Sequence, residues 1–227
     1  MPPHYHRFVD SHYYHLGDIL ANAITHGIGA GLAIAGAVCL IVASARGSAR
    51  LIVSCAIFSG SLVLVYLCST LYHSLVRTRA RPVFHILDHS SIYVLIAGTY
   101  TPFTLVALRG ALGWTLFAVV WALAVAGVVA KSVAMDRFTR GPLAVISTAI
   151  YLIQGWLVIF VARSLLQAIG WHAMLWLGAG GLAYTLGVVF FALDRVRYFH
   201  ATWHIFVLAG SIAHYCAILF YVVPPRA

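Results

Sequence analysis

The sequence predicts an all-α polytopic membrane protein, a bundle of seven transmembrane helices. Three observations predict it. Of 227 residues, 63% are hydrophobic and 8% are charged, with no Glu anywhere, whereas a soluble domain carries about 25% charge. Seven apolar runs of roughly 20 residues follow one another, each long enough to cross a hydrocarbon core of about 30 Å as a helix. The gaps between them are short, so successive helices are expected to be antiparallel neighbours. Helix is the required form because lipid offers nothing to an open backbone group.

Residues 1–20, MPPHYHRFVDSHYYHLGDIL, read as a polar N-terminal tail, and residues 21–227 as the seven-helix domain. The tail's His4, His6, His12 and His15 suit loose metal contact at most, and a solvated segment is expected. The first span, 22–45, ends in Ala43-Ser44-Ala45, which mimics a signal-peptidase site. Its apolar run is too long for a signal-peptide core, so retention is expected. It carries His26 within THGIG and a GxxxG at Gly27 and Gly31, a pattern that lets helices approach closely. The second span, 51–72, runs into CSTLYHS, with Ser69 and His73 four apart. The third, 86–108, begins at HILDHSS with His85, Asp88 and His89. Deeper in it, Pro102 is expected to kink the helix, a neighbouring threonine satisfying the freed backbone. The fourth and fifth spans are 111–130 and 143–162. The sixth, 173–193, holds Gly178, Gly180 and Gly181, a second small-residue surface. The seventh, 201–223, is entered through FHATWH, with His200 and His204 four apart.

Net charge is +9 with His neutral. The basic residues sit in gaps between apolar runs and are not interleaved with exposed aromatics, which excludes nucleic acid as a partner. Arg7, Arg77, Arg79, Arg81, Lys131, Arg137, Arg140, Arg195 and Arg197 fall on one side, nine against the five of Arg46, Arg50, Arg109, Arg163 and Arg226. The richer side is expected to be cytoplasmic, which puts the N-terminus inside and the C-terminus outside. The four cysteines lie in apolar runs without a CxxC pair and imply no disulfide framework.

Ionisable residues inside spans are functional candidates. A spacing of four puts two side chains on one helix face, and two imidazoles so placed can share a metal ion. The second span ends, and the third and seventh begin, on the same side. His73, Asp88, His200 and His204 are therefore expected at one depth on three helices. Three imidazoles with one open position is the composition of a catalytic zinc site, and Asp88 would orient a water or take its proton. Each residue has a plainer reading alone: His200 as an interfacial side chain, His73 as a helix C-terminal partner, Asp88 as an N-cap. His214 lies ten residues beyond His204, about 15 Å along the axis, too far to share an ion. It and His26 are read as interhelical hydrogen-bonding residues, while His85 and His89 flank the site.

In these same residues the chain resembles the hemolysin III family, the bacterial branch of the progestin and adipoQ receptor superfamily. ANAITHGIGAGLAI, STLYHS, LDHSSIYVLIAGTYTPF and HATWHIFVLAGSIAHY match its blocks in order, over residues 18–223. Bacterial members often have Glu before the first block, where this chain has Asp18. The resemblance implies that His73, His200 and His204 bind zinc near the cytoplasmic face of a bacterial inner membrane. It implies further that Asp88 holds a water at the metal and Ser69 supports the site. Eukaryotic relatives look like ceramidase-type amide hydrolases, and bacterial ones are implicated in membrane lipid homeostasis. The expected function is thus a zinc-dependent hydrolase of a lipid amide or ester, with membrane lipids as its partners. A lipid-responsive sensor with structural zinc, a hemolysin-type pore or transporter, and a bis-histidine haem protein stand as alternatives.

Overall fold

The described residues, 15–138 and 142–223 without the Asp136 side chain, form helices and short turns with no strand among them in a computed structural model. His4, His6, His12, Arg7, Arg140 and Arg226 lie outside them. The helices are α1 (Leu16–Ser44), α2 (Ala49–Ser74), α3 (Arg81–Pro102), α4 (Gly110–Phe138), α5 (Pro142–Trp156), α6 (Ala162–Ala192) and α7 (Phe199–Tyr221). Among the described residues, six segments are long and apolar enough to cross a membrane. The fifth of these, Pro142–Ala192, runs for 51 residues, more than twice the roughly 20 that a crossing needs. Inside α6 it is broken at Gly170, at φ 78° and ψ 171°. The Trp156 indole donates to Thr185 Oγ1 at 3.0 Å, so the segments flanking the break lie side by side.

The bundle is apolar outside as well as inside, as lipid demands: Phe160 is 86% and Val133 82% exposed. α3 is the most enclosed helix, with 67% of its apolar stretch buried against 22% for α4. α1, α2 and α3 pack in sequence, α6 packs on α7, and α1 on α7. Three helix starts differ in how they are set. Ser48 caps α2, its Oγ accepting from Leu51 N–H at 3.2 Å. α3 begins at Arg81 with a proline in its first turn, earlier than the 86 expected, so Asp88 lies two turns inside the helix and is not an N-cap. α7 begins after Tyr198, which is left-handed at φ 65°.

Several expectations are corrected. Lys131 is no loop residue: it lies within α4, 4% exposed, its ammonium 5.1 Å from the Phe138 ring centre and 6.0 Å from that of Tyr151. Without it the charge asymmetry is eight against five. The GxxxG pair is not the close contact of α1. A Cβ on Gly31 would meet nothing, whereas one on Gly29 would lie 2.6 Å from the Tyr66 ring. In α6 the expected close approach occurs at Gly180, against His214, though not at Gly178, and Gly187 makes another against Trp203. The four cysteines are free, Cys55 and Cys68 buried and Cys39 exposed on the bundle surface.

Pro102 acts as expected in interrupting its helix, and the interruption is a π-helical turn, Phe103–Leu108. Thr101 and Thr104 hydroxyls donate to the Ala97 and Tyr100 carbonyls at 2.9 and 3.0 Å. Arg109 and Gly110, at φ 51° and 60°, then turn the chain into α4. Glycine takes that geometry without a Cβ clash.

Candidate metal centre and cavity

His200 and His204 project from one face of α7 toward His73, which the last turn of α2 carries inward. One ring nitrogen from each of the three falls within 4.8 Å of the others. The ring centres are 5.0 Å apart for His73–His200 and His73–His204, and 4.7 Å for His200–His204. His73 and His204 are 5% and 2% exposed. Nε2 of His73 is buried and has no hydrogen-bond partner, an arrangement that is costly unless the nitrogen meets a ligand. A tetrahedral zinc with bonds of about 2.0–2.1 Å would hold three such nitrogens roughly 3.4 Å apart, a small closure from this spacing. Imidazole also suits zinc chemically. The residues present therefore fit a metal ion.

α1 supports the cluster from behind. Thr25 Oγ1 lies 3.0 Å from His204 Nδ1. The hydroxyl has one proton, directed at the Ala21 carbonyl at 2.8 Å and the Asn22 carbonyl at 3.1 Å. It must then accept from His204 Nδ1–H, which leaves Nε2 of His204 as the free lone pair for a metal. The His26 ring is stacked on His204, centres 3.5 Å apart and planes inclined by 17°.

A cavity of about 260 Å³ adjoins the cluster. His200 and His204 open onto it, as do Asp88 and Ser69; apolar side chains of α3, α5, α6 and α7 make most of the remaining wall. Asp88 is 8% exposed, with Oδ2 4.0 Å from His89 Nδ1, too long for a hydrogen bond. The Ser69 hydroxyl is buried without a hydrogen-bond partner, on the same cavity wall as Asp88. The cavity continues along α7 to His214.

The family described as Haemolysin-III related matches residues 18–215. The chain belongs to that family. Among its haemolysin-III relatives, Hemolysin-3 of Bacillus cereus is 46% identical over 206 residues, 90% of this chain and 92% of that one. The Hemolysin-3 homolog of Bacillus subtilis (strain 168) is 45% identical over 205 residues, 90% and 94% of the two chains. The Monocyte to macrophage differentiation factor of Homo sapiens is 31% identical over 172 residues, 73% of this chain and 69% of its own length.

The geometry gathers the three histidines expected from spacing, and sets Asp88 and Ser69 on the wall of the adjoining cavity. His85 and His89 flank the site: His85 stacks on Tyr72 at 4.9 Å and touches His89 at 4.8 Å. His214 makes the expected interhelical contact, with Nε2 3.3 Å from the Leu177 carbonyl of α6. His26 does not: both its ring nitrogens lack hydrogen-bond partners, and its ring instead stacks on His204 and meets Tyr66 edge-on. Thr25 escaped the sequence reading; its adjacency to His26 in THG is the one local sign of it.

Purified haemolysin-III-family protein of this sequence should carry about one zinc per chain. His73→Ala, His200→Ala and His204→Ala should each lose most of it by elemental analysis, while His214→Ala retains it. Thr25→Val should weaken zinc binding about 10–100-fold, the usual effect of losing a ligand's outer hydrogen bond. Equal retention in all variants would place the metal elsewhere.

Proposed function

We propose that this protein is a zinc-dependent intramembrane hydrolase of a lipid amide or ester, serving lipid homeostasis in a bacterial inner membrane. One observation carries the reading: the three-histidine cluster lies at the end of a largely apolar cavity whose wall also bears a carboxylate and a hydroxyl. A purely structural zinc site normally closes all four positions with protein ligands. Here the cluster has three ligands, and two of them, His200 and His204, open onto a space suited to a substrate.

Zinc held by His73, His200 and His204 would supply Lewis acidity, polarising a carbonyl and making a water acidic near neutral pH. Asp88 is the one carboxylate among the described residues lining the cavity. It accepts the proton of an attacking water and returns it to the leaving amine or alkoxide. In this reading the Ser69 hydroxyl, buried on the same wall and without another partner, orients that carboxylate. From His200 to His214 the cavity follows about 21 Å of helix axis, room for an extended acyl chain. Its apolar wall holds that chain and keeps bulk water from the reacting carbonyl.

In this reading the chain crosses the membrane seven times, the long run Pro142–Ala192 being two crossings joined at Gly170. The N-terminus and the metal centre are cytoplasmic, in line with Arg77, Arg79, Arg81, Arg195 and Arg197 on that side. Reporter fusions after Arg81 and at Ala227 should then report opposite sides of the membrane. The same side for both would mean six crossings.

Asp88→Asn keeps the shape of the side chain and removes the base. It should retain zinc and folding while lowering turnover of a lipid amide by about 10²–10⁴-fold. Absence of turnover by the unmodified protein over a broad panel of lipid amides and esters would reject the hydrolase and leave zinc as a structural element of a lipid-responsive protein.

A further inference from the structure

α7 starts from an unusual residue. Tyr198, immediately before it, sits at φ 65° and ψ 0° and offers no side-chain cap. Arg109 is the other non-glycine residue with positive φ among the described residues. A side chain with a Cβ holds this conformation only where its surroundings impose it.

The first turn of α1 supplies those surroundings. Asp18 Oδ1 accepts the Tyr198 N–H at 2.8 Å, and Oδ2 lies 3.9 Å from Arg197 Nε. The Arg197 guanidinium is 4.8 Å from the centre of the Tyr198 ring. Gly17 makes room for both: a Cβ there would lie 2.7 Å from Tyr198 Oη and 3.1 Å from an Arg197 amino group. A carboxylate thus sits at the start of α7, where the helix dipole favours it, and it comes from another helix 180 residues away in sequence.

The consequence falls on the metal cluster. His200 is two residues past Tyr198 and His204 six, so the backbone angles at Tyr198 set the direction in which both rings point. We propose that Asp18 is a positioning residue for the metal centre: by holding Tyr198 left-handed it aims His200 and His204 at His73. This rests on the metal reading above. It gives this chain's acidic residue ahead of ANAITHGIG a role that needs no contact with metal or substrate.

The decisive feature is that glycine takes φ near 65° freely. Asp18→Ala should weaken zinc binding at least tenfold in a chelator competition on the full-length protein in detergent. The double variant Asp18→Ala/Tyr198→Gly should recover most of that loss, because the strained residue is gone. Asp18→Asn, which keeps an acceptor for the Tyr198 N–H, should fall between. Amide exchange across 199–204 in the zinc-free protein should rise in Asp18→Ala and return in the double variant. That second readout stands even if the unmodified protein binds no zinc, an outcome that would sink the metal reading alone. Unchanged exchange and affinity in Asp18→Ala would overturn the proposal. So would a loss that Tyr198→Gly fails to repair, since that would mark Asp18 as a general stabiliser of the fold.

Discussion

The contact on which the rest of the structure depends is that of α1 with α7, where Thr25 holds His204 Nδ1 and the His26 ring lies flat on its face. A buried imidazole is tolerated when its nitrogens have assigned partners. α7 carries two of the three cluster histidines, and α1 fixes the tautomer and tilt of the deeper one. α1 can do this because its buried stripe is narrow. Asn22, His26, Gly29, Ala30 and Ala33 recur at helical spacing, while Ile24, Ile28 and Leu32 point to lipid. Gly29 admits the Tyr66 ring. That phenol donates to Ser211 Oγ of α7 at 2.8 Å, and Tyr184 of α6 meets the same hydroxyl at 2.9 Å. Three helices are thereby tied to α7 below the cluster.

Around the cavity the backbone departs from α-helix in two places, the π turn after Pro102 and a 3₁₀ turn at Leu157–Val161. Lipid cannot satisfy groups freed by such breaks. Tyr100 does so for the second: its hydroxyl donates to the Gly155 carbonyl at 2.7 Å and accepts the Val158 N–H at 2.8 Å. Both irregular segments border the space assigned to a lipid chain.

What the sequence revealed follows from the range over which each interaction acts. His200 and His204 were legible because four-residue spacing fixes a shared helix face. His73 and Asp88 were legible because short gaps fix which helix ends lie together. Thr25, the stacking of His26 and the Asp18–Tyr198 link were not, since each joins residues some 180 positions apart on faces that periodicity leaves undefined. Lys131 misled for a different reason. A lysine just past an apolar run reads as a loop charge, yet here the helix runs on past it to a kink at Ala134 and two aromatic rings receive the ammonium. The small-residue pattern misled at Gly31 because composition marks a helix as able to approach closely without saying which turn meets a neighbour.

The central claim is an open three-imidazole centre facing a lipid-sized cavity. X-ray absorption at the zinc edge of the purified, full-length protein tests it most directly. The account predicts three imidazole nitrogens at about 2.0–2.1 Å and a fourth position filled by an exchangeable light atom. A fourth imidazole, a sulfur ligand, or no bound metal in protein purified with zinc present would contradict it.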